Sequence, residues 1–203
     1  QITRLSNAGA IISLGHTDCT FNQAVEAVNA GATCATHLFN AMSPIGSREP
    51  GLVGAVLNGG KLSSSIIADG FHVNKISINL ALRAKKGPGA LFLISDAMST
   101  VGSDQKHFFL NDRLITRNQG KLILEDGTLA GADISLSDAV RYMVNEVGIL
   151  QDDAIRMASI IPAKVLGVES EIGCLMPDAR ADFLWMKNDL EIEKVWVGGK
   201  EQC

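Results

Sequence analysis

Four short apolar runs, each leading into a titratable side chain, alternate with helix-like segments in the first part of this 203-residue chain, and that alternation leaves little choice of fold. Ile11-Ile12-Ser13-Leu14 leads into Gly15-His16, and Ala32-Thr33-Cys34-Ala35-Thr36 leads into His37. Ser64 to Ala68 leads into Asp69-Gly70-Phe71-His72, and Ala90 to Ser95 into Asp96. Between the first two runs, Thr20 to Gly31 places Phe21, Ala24, Val25 and Val28 on one helical face, opens on a Thr20/Gln23 capping box and closes at Gly31. Asn74 caps a helix running to Lys86, where Lys85 and Lys86 suit the negative end of the helix dipole. Runs such as Ile11-Ile12 and Phe92-Leu93-Ile94 suit a parallel sheet covered on both faces. Repeated strand–helix units bring their strand-end residues to one rim, the rim at which (β/α)8 barrels do their chemistry.

Beyond Asp96 the texture changes. Phe108-Phe109-Leu110, Leu114-Ile115-Thr116 and Lys121 to Leu124 read as short antiparallel strands with turns at Asn111-Asp112 and Glu125-Asp126-Gly127. Gly127 to Asp133 reads as a small-residue loop feeding an amphipathic helix with Leu136, Ala139, Val140, Met143, Val144 and Val147, closed by Gly148. A further helix from Asp152 is expected to be interrupted by Pro162 and to end near Gly167. Asp182 to Met186 and Lys194 to Val197, with a Gly198-Gly199 turn, are strand-like, so a boundary is placed near Gly167.

Composition narrows the function classes. Lys+Arg 18 against Asp+Glu 22, a net charge of -4 and a pI near 5.5 argue against a nucleic-acid partner. No run approaches the ~18 apolar residues of a membrane span, and the N-terminus lacks a signal-peptide pattern, so a cytoplasmic protein without membrane partners is expected. Cys19, Cys34, Cys174 and Cys203 show no CxxC spacing and read as reduced thiols, Cys34 within a strand.

Two neutral histidines on neighbouring strand ends can bind a divalent metal such as zinc, and catalytic sites usually add a third protein ligand and a water. None of the fifteen residues before His16 is Asp, Glu, His or Cys. Asp96, on another strand end, suits the proton acceptor for that water, so the residues alone suggest metal-assisted hydrolysis of an unidentified substrate. One strand-end histidine is often just a hydrogen-bonded surface residue; three histidines and an aspartate on successive strand ends are harder to dismiss. His107, before an apolar strand, is read as structural. Arg48, in a loop of Gly, Pro and Ser, suits an anion clamp. Gly127 to Ala132 is either a plain turn and cap or a row of N–H groups for a phosphate or sugar.

At this point specific motifs emerge: Gly15-His16-Thr17-Asp18, Ala35-Thr36-His37-Leu38-Phe39-Asn40-Ala41-Met42, Gly46-Ser47-Arg48-Glu49-Pro50-Gly51, Ile67-Ala68-Asp69-Gly70-Phe71-His72 and Ser95-Asp96-Ala97. With Gly127-Thr128-Leu129-Ala130-Gly131, Gly173 and Ala181-Asp182, they resemble the N-acetylglucosamine-6-phosphate deacetylase family of the amidohydrolase superfamily along essentially the whole chain. The resemblance implies an α/β fold: a partial (β/α)8 TIM barrel of about the last four βα units, plus the C-terminal part of a small β-sandwich. Residues 1–167 would form the C-terminal half of the barrel with an inserted β-hairpin, and 168–203 the sandwich strands. A complete barrel typically needs about 250 residues, so the first and last barrel strands are expected to be edges.

The resemblance also implies roles. His16 and His37 would be metal ligands and Asp96 the catalytic acid/base. Asn40, the backbone of Ala41 and Arg48 would bind the sugar phosphate, Arg48 reaching the neighbouring active site of a homodimer. Asp69, Gly70, Phe71 and His72 would contact the substrate, and Leu129, Ala130, Gly131 and Ala132 would line the sugar site. A glutamate ligand and a carbonyl-polarising histidine are expected upstream of Gln1. The metal would be zinc, with iron, cobalt or manganese as alternatives. The expected activity is hydrolysis of the acetamide of N-acetylglucosamine 6-phosphate to glucosamine 6-phosphate and acetate. The alternatives are another amino-sugar phosphate such as N-acetylgalactosamine 6-phosphate, or a non-catalytic fragment lacking the third ligand.

Overall fold

A computed structural model describes residues 1–202, so the thiol expected at Cys203 lies outside the described residues. The central layer is a four-stranded parallel sheet whose spatial order follows the chain: β1 (Ile12–Leu14), β2 (Ala32–Ala35), β3 (Ser63–Ile67) and β4 (Leu91–Ile94). Helix α2 (Phe21–Asn29) joins the first two strands and carries the expected capping box: the Gln23 N–H donates to Thr20 Oγ1 at 3.3 Å and the Thr20 N–H to Gln23 Oε1 at 2.9 Å. Helix α4 (Lys75–Ala84) starts where Asn74 Oδ1 accepts from the Ile76 N–H at 2.9 Å. Strand β3 is the deepest, with Ile66 and Ile67 sealed from solvent. Each contributes about 1.5–3 kcal/mol of burial free energy, so the middle of the sheet is the least movable part of the chain.

Two helices were not legible as helices. A short α1 (Ile2–Asn7) precedes β1, and the apolar stretch after Gly51 is α3 (Gly51–Asn58), buried from Gly51 through Leu57. A helix that is apolar on every side has no stripe of period 3.6 to read. Its start is held from outside: the Glu49 carboxylate accepts from the Gly51 N–H at 2.9 Å and Ser43 Oγ from the Leu52 N–H at 2.8 Å.

After β4 comes an antiparallel sheet of β5 (His107–Leu110), β6 (Arg113–Asn118), β7 (Lys121–Ile123) and β8 (Leu129–Ala132). The insertion is therefore four-stranded rather than a hairpin, and the expected loop from Gly127 to Asp133 contains a strand. Ala130, Gly131 and Ala132 have little strand propensity, and pairing on both sides overrides it: β7 on one flank, a parallel Ala97–Ala132 bridge on the other.

Helix α5 (Leu136–Tyr142) passes into a π-helical turn, Met143–Val147, and ends at Gly148. The next helix breaks at Ser159, between α6 (Gln151–Ala158) and α7 (Ile160–Leu166), not at Pro162 as expected. A proline ring excludes the carbonyl four residues back, here Ala158, so the break precedes the proline and leaves it in the first turn of α7, where no N–H is missed. The tail forms β9 (Phe183–Met186), β10 (Ile192–Val197) and β11 (Lys200–Glu201) in an antiparallel sheet. It joins the main core through Leu190, whose side chain is buried and whose carbonyl accepts from Arg141 at 3.1 Å.

Among the described residues no helix is long and apolar enough to cross a membrane. Cys19, Cys34 and Cys174 are free thiols, and burial pushes the Cys34 thiol up.

Candidate functional site

The parallel sheet sets a common offset. Each strand places a titratable residue two positions past its last residue: Leu14 to His16, Ala35 to His37, Ile67 to Asp69 and Ile94 to Asp96. The third strand thus presents Asp69 at this offset, where the sequence had suggested His72. His16, His37 and Asp96 also share a left-handed backbone, with φ of 47°, 28° and 50°. Non-glycine residues rarely adopt it, and such strain persists only where surrounding structure enforces it, characteristically at functional sites.

His16 and His37 meet. Their Nε2 atoms lie 3.0 Å apart and the rings are edge-on at 75°. His37 Nδ1 faces the Asn40 carbonyl at 3.1 Å. A carbonyl only accepts, so Nδ1 carries the proton and Nε2 presents its lone pair, the tautomer a metal ligand needs. The backbone of His37 is fixed by donation to Ser65 Oγ at 2.8 Å, and its side chain is buried. Two imidazoles bound to a tetrahedral zinc at about 2.0–2.1 Å keep their nitrogens about 3.3 Å apart, so this pair fits one ion. Among the described residues no third His, Cys, Asp or Glu joins them.

The loops behind the pair are laced together. The Thr17 N–H donates to the Ala41 carbonyl at 3.1 Å and the Ser43 N–H to the Thr17 carbonyl at 3.1 Å, extending the β1–β2 pairing past the histidines. Gly15 sits so close to this second loop that a Cβ on it would lie 2.3 Å from Thr36 Cγ2. Asn40 is half-buried, its amide donating to the Leu38 carbonyl at 3.3 Å, and Ala41 has a left-handed φ of 48°. Arg48 is exposed on the turn closed by the Gly46 N–H and the Glu49 carbonyl at 2.8 Å, with no ion pair among the described residues. Its neighbour Glu49 caps two helices, accepting from the Phe21 N–H at 2.7 Å and from the Gly51 N–H; both bonds hold its carboxyl below the usual range.

Asp69 and His72 form a second pair. His72 Nδ1 lies 2.6 Å from Asp69 Oδ2, while Asp69 Oδ1 accepts from the Phe71 and His72 N–H groups at 2.8 Å each. Burial alone raises this carboxyl; the bonds from the His72 ring and the two backbone N–H groups outweigh it and hold the pKa below the ordinary value. Gly70 turns against the Tyr142 ring, and Phe71 is exposed beneath the β6–β7 tip, where the Lys121 ammonium lies 4.6 Å from its ring centroid.

The Asp96 side chain is exposed and makes no hydrogen bond or ion pair among the described residues. Its backbone is held by β8: the Ala132 N–H donates to the Asp96 carbonyl at 3.2 Å and the Met98 N–H to the Ala132 carbonyl at 3.1 Å. Gly131 allows this approach, since a Cβ there would lie 2.5 Å from Met98 Cγ. Leu129, Ala130, Gly131 and Ala132 therefore sit on a strand beside Asp96. Sequence reasoning missed Ser65, Lys121, Tyr142 and the buried Asp133. Ser65 had a signal, since three consecutive serines in a buried strand must find partners: Ser64 Oγ donates to the Ala35 carbonyl at 2.9 Å and Ser65 holds His37.

Comparison with known proteins agrees with this architecture. The chain is 40% identical over 200 residues to an N-acetylgalactosamine-6-phosphate deacetylase of Shewanella sp. (strain ANA-3), covering 98% of this chain and 50% of that protein. It is 32% identical to the N-acetylglucosamine-6-phosphate deacetylase of Bos taurus, covering 98% of this chain and 50% of that one. The crystal structure of N-acetylglucosamine-6-phosphate deacetylase from Pasteurella multocida superposes with a TM-score of 0.94 at 36% identity, covering 99% of this chain and 52% of that chain. The chain thus spans about half the length of these relatives. The family model described as "Amidohydrolase family" matches residues 2–201, and the chain belongs to the amidohydrolase family.

Proposed function

We propose that this chain carries the C-terminal half of a metal-dependent amino-sugar-phosphate deacetylase that hydrolyses N-acetylglucosamine 6-phosphate to glucosamine 6-phosphate and acetate. The observation that carries the reading is the pair of Nε2 atoms 3.0 Å apart on adjacent strand ends, one locked in the ligand tautomer. Its support is a family match over residues 2–201 and relatives named for this deacetylation. Residues 1–167 are read as half of a (β/α)8 barrel with an inserted sheet, and 168–203 as strands of a small β-sandwich.

His16 and His37 hold a divalent ion, zinc on donor chemistry, with iron, cobalt or manganese as alternatives. The third ligand belongs to the part of the relatives' length that this chain does not span. Such an ion, when bound, supplies acidity to a water and polarisation to a carbonyl. Asp96 accepts a proton from water as the water oxygen bonds to the acetyl carbon, then delivers it to the amine nitrogen as the C–N bond breaks. Its exposed carboxylate on a restrained backbone suits both transfers. Asn40, the Ala41 backbone and Arg48 bind the phosphate, Arg48 in the active site of a second copy of the chain; its guanidinium, exposed and without an ion pair among the described residues, supports that reach. Asp69 holds His72 toward the sugar with Gly70 and Phe71 beside it, and Leu129, Ala130, Gly131 and Ala132 line the opposite wall.

Acetate release by the full-length protein tests the reading. Asp96→Asn is expected to lose at least about a thousandfold in kcat, given the scale of proton-transfer catalysis; undiminished turnover overturns the role. A second reading rests on the 40% identity to the Shewanella N-acetylgalactosamine-6-phosphate deacetylase. The two sugars differ in the orientation of one hydroxyl, and the ratio of kcat/KM between them decides which is the substrate.

A further inference from the structure

The residue assigned as acid/base has no side-chain support among the described residues, and the backbone that carries it is strained. Four tethers hold that backbone, all from the inserted sheet. The Ala132 N–H binds the Asp96 carbonyl and the Ala132 carbonyl binds the Met98 N–H. Asp133, the next residue after β8, has a side chain only 2% exposed, and its Oδ1 accepts from Thr100 Oγ1 at 3.0 Å. Its Oδ2 pairs with Arg117 Nε on β6, and Arg117 Nη1 donates to the Ser103 carbonyl at 2.7 Å. The segment from Asp96 to Ser103 is thus gripped at residues 96, 98, 100 and 103 by one strand end and one arginine.

We infer that Asp133, Arg117 and Thr100 form a clasp that positions Asp96 for proton transfer; they are positioning residues, not catalytic ones. The insertion has few sealed apolar side chains, Ile115 and Leu122 among them, so core packing alone cannot fix its distance from β4. A buried carboxylate with both oxygens bonded tolerates little displacement, because sliding the sheet would leave a charge unpaired in a dry site. The clasp therefore converts the position of an otherwise weakly anchored sheet into a fixed φ at Asp96. This rests on the reading of Asp96 as the acid/base.

The test uses the full-length, metal-loaded enzyme. Asp133→Asn keeps size and the bond to Thr100 but removes the charge pair; it is expected to lower kcat about tenfold with KM within about twofold, the signature of a misplaced group rather than weakened binding. Arg117→Lys, which retains the charge but not the two-armed grip, is expected to show a smaller loss of kcat than Asp133→Asn. If Asp133→Asn does not fold, Thr100→Val serves, with an expected loss of about threefold in kcat. A fall in melting temperature with kcat unchanged in Asp133→Asn, or in Thr100→Val where it replaces it, overturns the inference. Asp96→Asn is run alongside: if it too turns over normally, the acid/base reading has failed; if it is dead while the clasp variants are normal, the clasp alone has.

Discussion

The parallel sheet and the inserted antiparallel sheet place their site residues by opposite means. At the β1–β2 rim, His16 and His37 follow the last hydrogen-bonded residues of their strands at a fixed offset, and further backbone bonds beyond the sheet hold the register. The support is continuous and lies over a sealed core. The insertion is open along its edge strand β5, with Phe109 70% and Leu110 46% exposed, and grips the rest through the short β8 and through Asp133 and Arg117, which bind Thr100 and Ser103. Distributed backbone pairing spreads precision over many bonds. A tether gives precision that one residue can remove.

The largest test of that contrast is at the rim. His37→Ala in the full-length protein is expected to lose about a thousandfold or more in activity together with bound metal, the scale of the several kcal/mol a catalytic metal contributes. Metal analysis beside the assay checks it, and stoichiometric metal in the variant breaks the assignment. Next comes Gly15→Ala, which adds a methyl where only 2.3 Å separates it from Thr36 Cγ2. The expected cost is about 1–3 kcal/mol in urea unfolding, with weaker metal affinity because both histidine loops shift. An unchanged midpoint would show the rim to be less rigid than its bonding suggests.

A smaller effect is expected from acid. The Asp69 carboxyl titrates below its ordinary value in the folded state, so its contribution to stability is complete above about pH 3.9 and is lost as pH falls through the lower folded-state value. The stability gap between wild type and Asp69→Asn should therefore be constant at neutral pH and close on acidification, measured by thermal melts at several pH values; a gap that widens in acid reverses the sign. Smallest of all, Phe109→Ser on the outer face of β5 should leave stability within about 0.5 kcal/mol and turnover unchanged, the usual result for exposed positions. A large loss there would mean that the insertion is packed against something on that side.

Much of the rim was legible in the sequence because it depends on short-range order. Thr20 and Gln23, Asn74, and the apolar runs leading to His16, His37 and Asp96 each state their role within a few residues, and the structure places them accordingly. What escaped depends on distant partners. α3 is apolar all round and so lacks the periodicity that marks a helix at the surface. β8 is built from alanine and glycine and becomes a strand only because β7 and Ala97 flank it. Ser65 supports a histidine 28 positions away in sequence, and Arg117 meets Asp133 only after two hairpin turns. The approach of the two imidazole nitrogens, the centre of the candidate site, is likewise a tertiary fact.

The left-handed backbone at His16, His37 and Asp96 restricts what these positions can become. Among side chains able to donate to a metal or carry a proton, histidine, aspartate and asparagine tolerate that conformation better than the rest, whereas glutamate and cysteine have no such preference. Anyone redesigning this rim for a softer ion with cysteine ligands would have to rebuild the strand ends before choosing the ligands. The alphabet of the site is thus set partly by main-chain geometry, independently of the reaction it serves.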